Sequence, residues 1–287
     1  GKDMNRRDWL IRAAAGAAVL GVNPGRLFAA GVDPSLAALE KRHGGRLGVA
    51  ILDKGSGRRL QYRAEERFLM CSTFKFLLVA KVLERIDAGK ENAGRRIVYG
   101  KDALLEYAPT TRQHVGPPGM TVGELCEATV TLSDNTAANL LLHAVGGPAA
   151  VTDYVRGLGD AITRLDRMEP ELNRADGDKD TTTPWAMLGD LNTLILGDAL
   201  PPASLAKLTG WLTGCQTGLQ SVRAGLPSNW RVGDKTGQGS HANNDVAIAW
   251  PPGRKPVLIS AYYAHDKLDA DGRKAVLAEV GRIAAAV

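Results

Sequence analysis

The sequence predicts an α+β fold in which an antiparallel sheet is flanked by helices and interrupted by an inserted all-helical lobe. Strand-like patterns lie near the two ends of the chain, at residues 47–62 and 230–263, and helical patterns fill the block between them. The simplest arrangement is one sheet built from both ends. We expect a sheet lobe from about 32–68 and 215–287 and a helical lobe from about 69–214.

The first elements of the sheet lobe are predicted to be a helix and a hairpin. Asp33 followed by Pro34 is typical of a helix start, because aspartate caps free N–H groups and proline suits the first turn. An apolar strand covers 47–52, a Gly-Ser-Gly turn follows at 55–57, and the return strand covers 59–62.

The central block is predicted to be helical and broken by turns. Residues 121–124 resemble a capping box that begins one of its helices. The predicted helices cover 76–86, 125–132, 137–145, 152–158, 184–196 and 202–213. Residues 166–180 have little periodicity and many charges, which predicts a long loop, and loops of this length are often functional.

The end of the chain returns to strand-like patterns. We predict strands at 230–237, 245–250 and 257–263, and a closing helix at 270–285. A Pro-Pro-Gly turn at 251–253 separates the last two strands, which favours an antiparallel pair.

The composition is that of a globular protein with a leader. Of 287 residues, 44% are hydrophobic and 23% charged, and no basic stripe suggests nucleic-acid binding.

Residues 1–3 are interpreted as an added extension before Met4. An arginine pair at 6–7, an apolar run at 13–22 and small residues at 29–31 then predict a twin-arginine-like secretory leader. After loss of the leader, we expect a periplasmic or secreted monomer without stable membrane association. The alternative interpretation of the first segment is an amphipathic N-terminal helix instead of a leader.

Cysteine and histidine spacing predicts neither a metal site nor a cofactor. The three cysteines, Cys71, Cys126 and Cys215, are far apart in the sequence. The five histidines are scattered and form no ligand pair of the type found in zinc sites.

Ser72 and Lys75 form the first candidate catalytic pair. They precede an apolar helical run, and residues three apart on a helix share one face. A serine hydroxyl becomes a nucleophile when a neighbouring base takes its proton. A buried lysine can be that base because burial lowers its pKa. The simpler interpretation is that Ser72 only caps the helix.

Three further polar segments are candidates. Residues 133–135 (Ser-Asp-Asn) separate two apolar helical runs, which also fits a helix cap. Residues 235–237 (Lys-Thr-Gly) lie on a late strand, where glycine permits close approach of a ligand. Glu169 lies in the long loop, where a carboxylate is usually solvated.

In this order, the four segments resemble the signature of the class A serine β-lactamases. The matching stretches cover nearly all of the chain after the leader and are 72–75, 120–122, 133–141, 169–173, 180–184 and 234–237. The resemblance implies the β-lactamase/transpeptidase-like fold, with an active site between the two lobes. It implies small-molecule β-lactams as substrates and inhibitors, with no cofactor and no metal.

The resemblance also implies catalytic roles. Ser72 attacks the lactam carbonyl, and the backbone N–H groups of Ser72 and Gln238 hold the oxyanion. Lys75 or Glu169 is the base for acylation, a choice that stays open. Glu169 drives hydrolysis of the acyl-enzyme through a water, and Ser133 carries a proton to the leaving nitrogen.

The remaining site residues are implied in substrate binding. Asn173 would hold the water together with Glu169, and an aromatic ring would flank the pocket entrance. Charge and a hydroxyl on the Lys-Thr-Gly strand would meet the substrate carboxylate. These residues are Tyr107, Asn135, Asn173, Lys235, Thr236 and Gly237.

The sequence departs from the family pattern near the carboxylate pocket. Where members usually carry an arginine, this chain has Asn244, and it has Ser221 at another position sometimes used. Lys274 is the first candidate to supply the charge instead, and Arg223 the second.

Two further departures concern the long loop and the cysteines. The loop after Glu169 is slightly shorter than is usual in the family, although Arg167 and Asp180 match the salt bridge that closes it. The positions that would pair with Cys126 and Cys71 in disulfide-containing members are Val79 and Gly239. We therefore predict three free thiols.

Three rival functions also use a serine nucleophile. A penicillin-binding D,D-peptidase would form a long-lived acyl-enzyme with β-lactams, whereas the Glu169 loop favours fast hydrolysis. A non-hydrolytic sensor domain would be tied to a membrane span. A general serine esterase would normally have a Gly-x-Ser-x-Gly frame around its nucleophile, which Ser72 lacks.

Overall fold

A five-stranded antiparallel sheet joins the two ends of the chain in the computed structural model, which describes residues 32–287. The spatial order is β2-β1-β9-β8-β7. The strands are β1 (Arg46–Asp53), β2 (Arg59–Tyr62), β3 (Phe68–Leu69), β4 (Arg96–Ile97), β5 (Met120–Thr121), β6 (Thr181–Thr182), β7 (Arg231–Gly239), β8 (Ala242–Trp250) and β9 (Val257–Ala264). Pairing of β1 with β9 closes the sheet, and β3–β6 and β4–β5 form separate two-stranded ladders. The predicted fold class is confirmed.

Helices cover both faces of the sheet. They are α1 (Pro34–His43), α2 (Lys75–Asp87), α3 (Val122–Thr131), α4 (Asn135–Val145), α5 (Pro148–Gly157), α6 (Pro184–Leu191), α7 (Pro202–Thr213), α8 (Val222–Gly225) and α9 (Ala270–Ala285). The outer helices α1 and α9 pack on one face, while α6 packs on the other, next to the block that surrounds α2.

Alternation along the strands divides the core into two clusters. On β8, Val246 and Ile248 join the cluster on the α2 side, while Ala247 and Ala249 join the cluster beneath α1 and α9. Successive side chains of a strand point to opposite faces, so a sheet covered on both sides needs apolar residues at every position. This explains why the second half of β8 and most of β9 read as apolar runs.

Helix α2 lies at the centre of the helical block. Its side chains from Phe76 to Ala80 are all buried, and the helix contacts α3, α4, α5 and α7. The first half of the helix is apolar on every side, and such a segment is stable only when other elements surround it. Ser72 precedes α2 in a 3₁₀ turn, Cys71–Phe74, so the α-helix itself begins at Lys75.

Asp134 fastens the start of α4 to the neighbouring loop. Its carboxylate accepts hydrogen bonds from the N–H of Ala137, as a helix cap, and from Thr110 N and Thr111 N, each at 2.9 Å. The Thr111 hydroxyl donates to the same carboxylate. The side chain is fully buried, so these bonds replace its hydration.

The loop predicted at 166–180 is closed by the ion pair that the resemblance implied. Arg167 Nε lies 2.6 Å from Asp180 Oδ2, and Asp180 Oδ1 accepts from the N–H groups of Asp166 and Arg167. A short 3₁₀ turn, Glu171–Asn173, is the regular element within it.

Several element boundaries differ from the predictions. Helix α5 begins at Pro148, four residues earlier than expected, because proline at the first turn needs no hydrogen-bond partner. Helix α6 ends at Leu191 and continues as a π-helical turn, Asn192–Leu196. The four-residue helix α8 was not predicted, since it is too short to show periodicity.

All three cysteines are free and buried, which confirms the predicted thiols. Burial raises the pKa of Cys71 to about 12 and that of Cys215 to about 11, and it raises the pKa of Cys126 further.

The predicted leader lies outside the described residues, and the division into two lobes stays a prediction. Within residues 32–287, no helix is long and apolar enough to cross a bilayer.

Replacing Asp134 should destabilise the fold strongly. Asp134→Ala leaves several buried donors unpaired, so we expect the free energy of unfolding to fall by about 3 kcal/mol or more. Urea denaturation of the variant beside wild type measures this. Asp33→Ala, which removes the cap of α1, is the control and should cost about 1 kcal/mol. Equal losses in both variants would contradict the role given to Asp134.

The thiols should be inert in the native protein. Because burial keeps them protonated and inaccessible, a thiol-reactive dye should label none of them before unfolding and all three in denaturant. A mass two units below that of the reduced chain would instead indicate a disulfide.

Candidate active site

A cleft of about 580 Å³ lies beside the edge strand β7. It is formed by the turn before α2, the start of α4, the 166–180 loop and the segment before α8. Eight of the eleven predicted site residues line it: Ser72, Tyr107, Ser133, Asn135, Asn173, Thr236, Gly237 and Gln238. The other three, Lys75, Glu169 and Lys235, are buried and bond to residues that line it.

The turn that carries Ser72 is held on several sides. Cys71 adopts a left-handed conformation with φ of 48°, which is costly for a residue with a side chain. The neighbouring Thr73 hydroxyl contacts Met70 O at 2.8 Å and the Tyr262 hydroxyl at 2.9 Å. Within the described chain, the Ser72 hydroxyl has no hydrogen-bond partner, and it faces the cleft.

Strand β7 approaches this turn closely because it contains glycine. A Cβ atom added to Gly237 would lie 2.7 Å from Met70 O and 3.2 Å from Ser72 N. Any side chain at this position would therefore push the strand away from the turn. The close approach places the edge of β7, which carries Gln238, next to Ser72 in the same cleft.

Lys75 is fully buried among polar partners. Its ammonium donates to Ser133 O at 2.8 Å, to Ser133 Oγ at 3.0 Å and to Asn135 Oδ1 at 2.6 Å. Glu169 Oε1 lies 3.6 Å from the same nitrogen, and neither side chain is exposed. Burial lowers the pKa of Lys75, and the negative charges of Glu169 and Asp134 oppose that shift.

The Ser133 hydroxyl joins two lysines. Its Oγ accepts from Lys75 Nζ at 3.0 Å and from Lys235 Nζ at 3.1 Å. Ser133 is left-handed, with φ of 60°. Burial, followed by repulsion from Lys75, lowers the pKa of Lys235 to about 8. A hydroxyl between two such amines is well placed to pass a proton.

Glu169 is fixed by two asparagines. Asn173 Nδ2 donates to Glu169 Oε2 at 2.8 Å. Asn139 makes a reciprocal pair of bonds with the Glu169 backbone, donating to its carbonyl at 2.9 Å and accepting from its N–H at 3.0 Å. In the part of the chain that is described, Glu169 Oε1 and Asn173 Oδ1 are buried without a hydrogen-bond partner. Both oxygens can accept a hydrogen bond from a bound water.

Asn139 was assigned no role from the sequence, although it lies in a matching stretch. Asn139 stands one helical turn after Asn135 on α4, so both project toward the cleft side of that helix. A polar residue in this register on an otherwise apolar helix was the available signal.

The two cation candidates lie in different places. Lys274 lines the cleft together with Ser221 and Asn244, whereas Arg223 does not line it and donates to Asp234 Oδ1 at 3.1 Å. Tyr107 stands at the mouth with 46% of its surface exposed, and its hydroxyl donates to Leu132 O.

Comparison with known proteins agrees with this geometry. The model of the beta-lactamase enzyme family matches residues 32–287. Beta-lactamase L2 of Stenotrophomonas maltophilia is 48% identical over 96% of this chain and 91% of its own length. Beta-lactamase OXY-2 of Klebsiella oxytoca is 44% identical over 98% of each chain.

Solved structures give the same result. An ancestral class A beta-lactamase of Gram-negative bacteria is 60% identical, with a TM-score of 0.84 over 86% of this chain and 96% of that chain. A beta lactamase from Burkholderia vietnamiensis is 47% identical, with a TM-score of 0.86 over 88% of this chain and 94% of that chain. The chain therefore belongs to the beta-lactamase enzyme family, within class A.

Proposed function

We propose that this enzyme hydrolyses the β-lactam ring of penicillin- and cephalosporin-type substrates through an acyl-enzyme on Ser72. The observation that carries the proposal is the buried network of Lys75, Ser133, Lys235 and Glu169 behind an unpaired serine hydroxyl. Such a network supplies a base, a proton carrier and a second base within one site.

In the acylation step, Ser72 Oγ bonds to the lactam carbonyl carbon and the ring C–N bond breaks. Lys75 takes the serine proton directly, or Glu169 takes it through a water. Burial favours the neutral amine of Lys75, and the unpaired Glu169 Oε1 favours the second route, so both bases stay candidates. Ser133 gives its hydroxyl proton to the ring nitrogen and regains one through Lys75, which passes on the proton removed from Ser72. The N–H groups of Ser72 and Gln238 stabilise the oxyanion.

In the deacylation step, a water held by Glu169 and Asn173 attacks the ester carbonyl. Glu169 accepts its proton, the bond to Ser72 Oγ breaks, and the proton returns to the serine. The fixed carboxylate supports this role, because Asn173 and Asn139 restrict its position.

Substrate binding follows from the cleft walls. Thr236 and Lys274 line the cleft and bind the ring carboxylate, with Lys274 in the place of the arginine usual in the family. Lys235, buried next to Ser133 and Thr236, supplies a second positive charge to the same carboxylate. Asn135 Oδ1 is occupied by Lys75, which leaves its N–H₂ group for the carbonyl of the substrate side chain. Tyr107 packs against that side chain, and Gly237 lets the substrate lie against β7.

The rival D,D-peptidase function shares the first step but not the second. A buried carboxylate beside Lys75, with one oxygen that has no hydrogen-bond partner in the described chain, supports fast hydrolysis rather than a stable adduct. We further propose that the enzyme acts as a monomer outside the cytoplasm after loss of its leader, with its sheet lobe and helical lobe meeting at the cleft.

Glu169→Ala should trap the acyl-enzyme. Without the deacylating base, kcat for benzylpenicillin should fall by about a hundredfold or more. Mass spectrometry should then find the protein heavier by the mass of one penicillin, bound as its ring-opened ester. Glu171→Ala, an exposed carboxylate in the same loop, is the matched control. Ser72→Ala should give no adduct, and undiminished turnover in Glu169→Ala would exclude the role of this residue.

Substrate affinity should weaken at alkaline pH. The pKa of Lys235 is about 8, so its ammonium is charged below that pH and neutral above it. If only the charged form binds the carboxylate, KM for benzylpenicillin should rise about tenfold between pH 7 and pH 9. Lys235→Arg stays charged and should give a flat profile. An identical alkaline rise in that variant would assign the effect to another group.

A further inference from the structure

Arg273 is a buried arginine that lacks a carboxylate partner. Only 4% of its surface is exposed, and no aspartate or glutamate among residues 32–287 forms an ion pair with it. Burial lowers its pKa. An unpaired charge costs free energy when it is removed from water, so the fold must gain something from its position.

The guanidinium connects three separate segments. Its Nε donates to Asn243 Oδ1 at 2.7 Å, Nη1 to Leu268 O at 2.7 Å and Nη2 to Gly239 O at 3.3 Å. Gly239 ends β7, Asn243 lies on β8 directly after the hairpin, and Leu268 precedes α9. The planar group therefore holds the β7–β8 turn against the start of α9.

Contacts of Arg273 extend on both sides to Gln238. Gly239 is its neighbour in sequence, and Asn243 is its partner across the two strands. The amide of Asn243 also donates to Gln238 Oε1 at 3.2 Å. Arg273 is thus linked to the backbone of Gln238 through Gly239 and to the side chain of Gln238 through Asn243.

This end of β7 needs such support. Gln238 lies between two glycines, whose backbones are the least restricted, on a strand at the edge of the sheet. A Cβ atom on Gly239 would lie 3.3 Å from Cys71 Sγ and 3.9 Å from Asn173 O. The strand end therefore touches both the turn of Ser72 and the loop of Glu169.

We propose that Arg273 is a positioning residue that fixes the Gln238 N–H at the oxyanion site by holding the end of β7. The inference rests on the proposed function, in which that N–H stabilises the oxyanion. An arginine has the fork geometry that reaches three acceptors at once, whereas a lysine offers one point of charge.

The test compares Arg273→Gln and Arg273→Lys with wild type. Both should lower kcat/KM for benzylpenicillin by about tenfold to a hundredfold, because small displacements of an oxyanion donor are costly. The loss should fall on kcat, with KM changed by less than about threefold. The inhibition constant of phenylboronic acid, which forms a tetrahedral adduct with a serine, should rise by a similar factor.

Arg282→Gln is the control on the same helix, since Arg282 is exposed and pairs with Glu279. Its kinetics should match wild type. Full activity in Arg273→Lys would overturn the inference, because it would mean that charge alone matters. A loss of kcat without a loss of boronate affinity would overturn it as well.

Folding and function are separated by two further measurements. If Arg273→Gln does not fold, as judged by circular dichroism, Asn243→Ala removes the link from Arg273 through Asn243 to the Gln238 side chain and leaves the bonds of Arg273 to Gly239 and Leu268 in place. It should weaken boronate binding in the same direction, and unchanged binding would count against the inference. Wild type without any turnover would refute the proposed function itself, whereas normal wild type beside unaffected Arg273 variants would refute only the role of Arg273.

Discussion

Two buried ammonium groups that share one hydroxyl are the interaction on which the rest of the structure depends. Lys75 and Lys235 both donate to Ser133 Oγ, and neither is exposed to water. Loss of hydration lowers the pKa of both lysines, and repulsion from Lys75 adds to this effect at Lys235. Glu169 and the carbonyl oxygens around them keep the cluster stable, and those partners come from three distant parts of the chain.

The surrounding fold maintains this cluster through local strain and close packing. Cys71 and Ser133 are two of the four left-handed residues other than glycine in the described chain, and both belong to the site. Such conformations persist only where neighbouring contacts determine them. The capping by Asp134, the buried helix α2 and the glycine on β7 provide those contacts.

The sequence predicted the long elements and the identity of the site better than its detailed contacts. An apolar run identified α2 and strand-like patterns identified the late strands, whereas α8 and the two-residue strands are too short to leave a pattern. Spacing suggested that Lys75 faces Ser72, yet the hydrogen bonds of its ammonium go to Ser133 and Asn135. Arg273 acquires its importance from partners distant in sequence, so no local pattern could reveal it, whereas the position of Asn139 one turn after Asn135 on an apolar helix was a readable signal.

The pairing of β1 with β9 has a consequence for how the molecule is made. Leu47 pairs with Tyr263, so the central strands of the sheet meet only after most of the polypeptide has been synthesised. Such non-local pairing gives a high contact order and slow folding. Until β9 arrives, the apolar edge of β1 is open to pairing with other chains, so the nascent protein passes through an aggregation-prone stage.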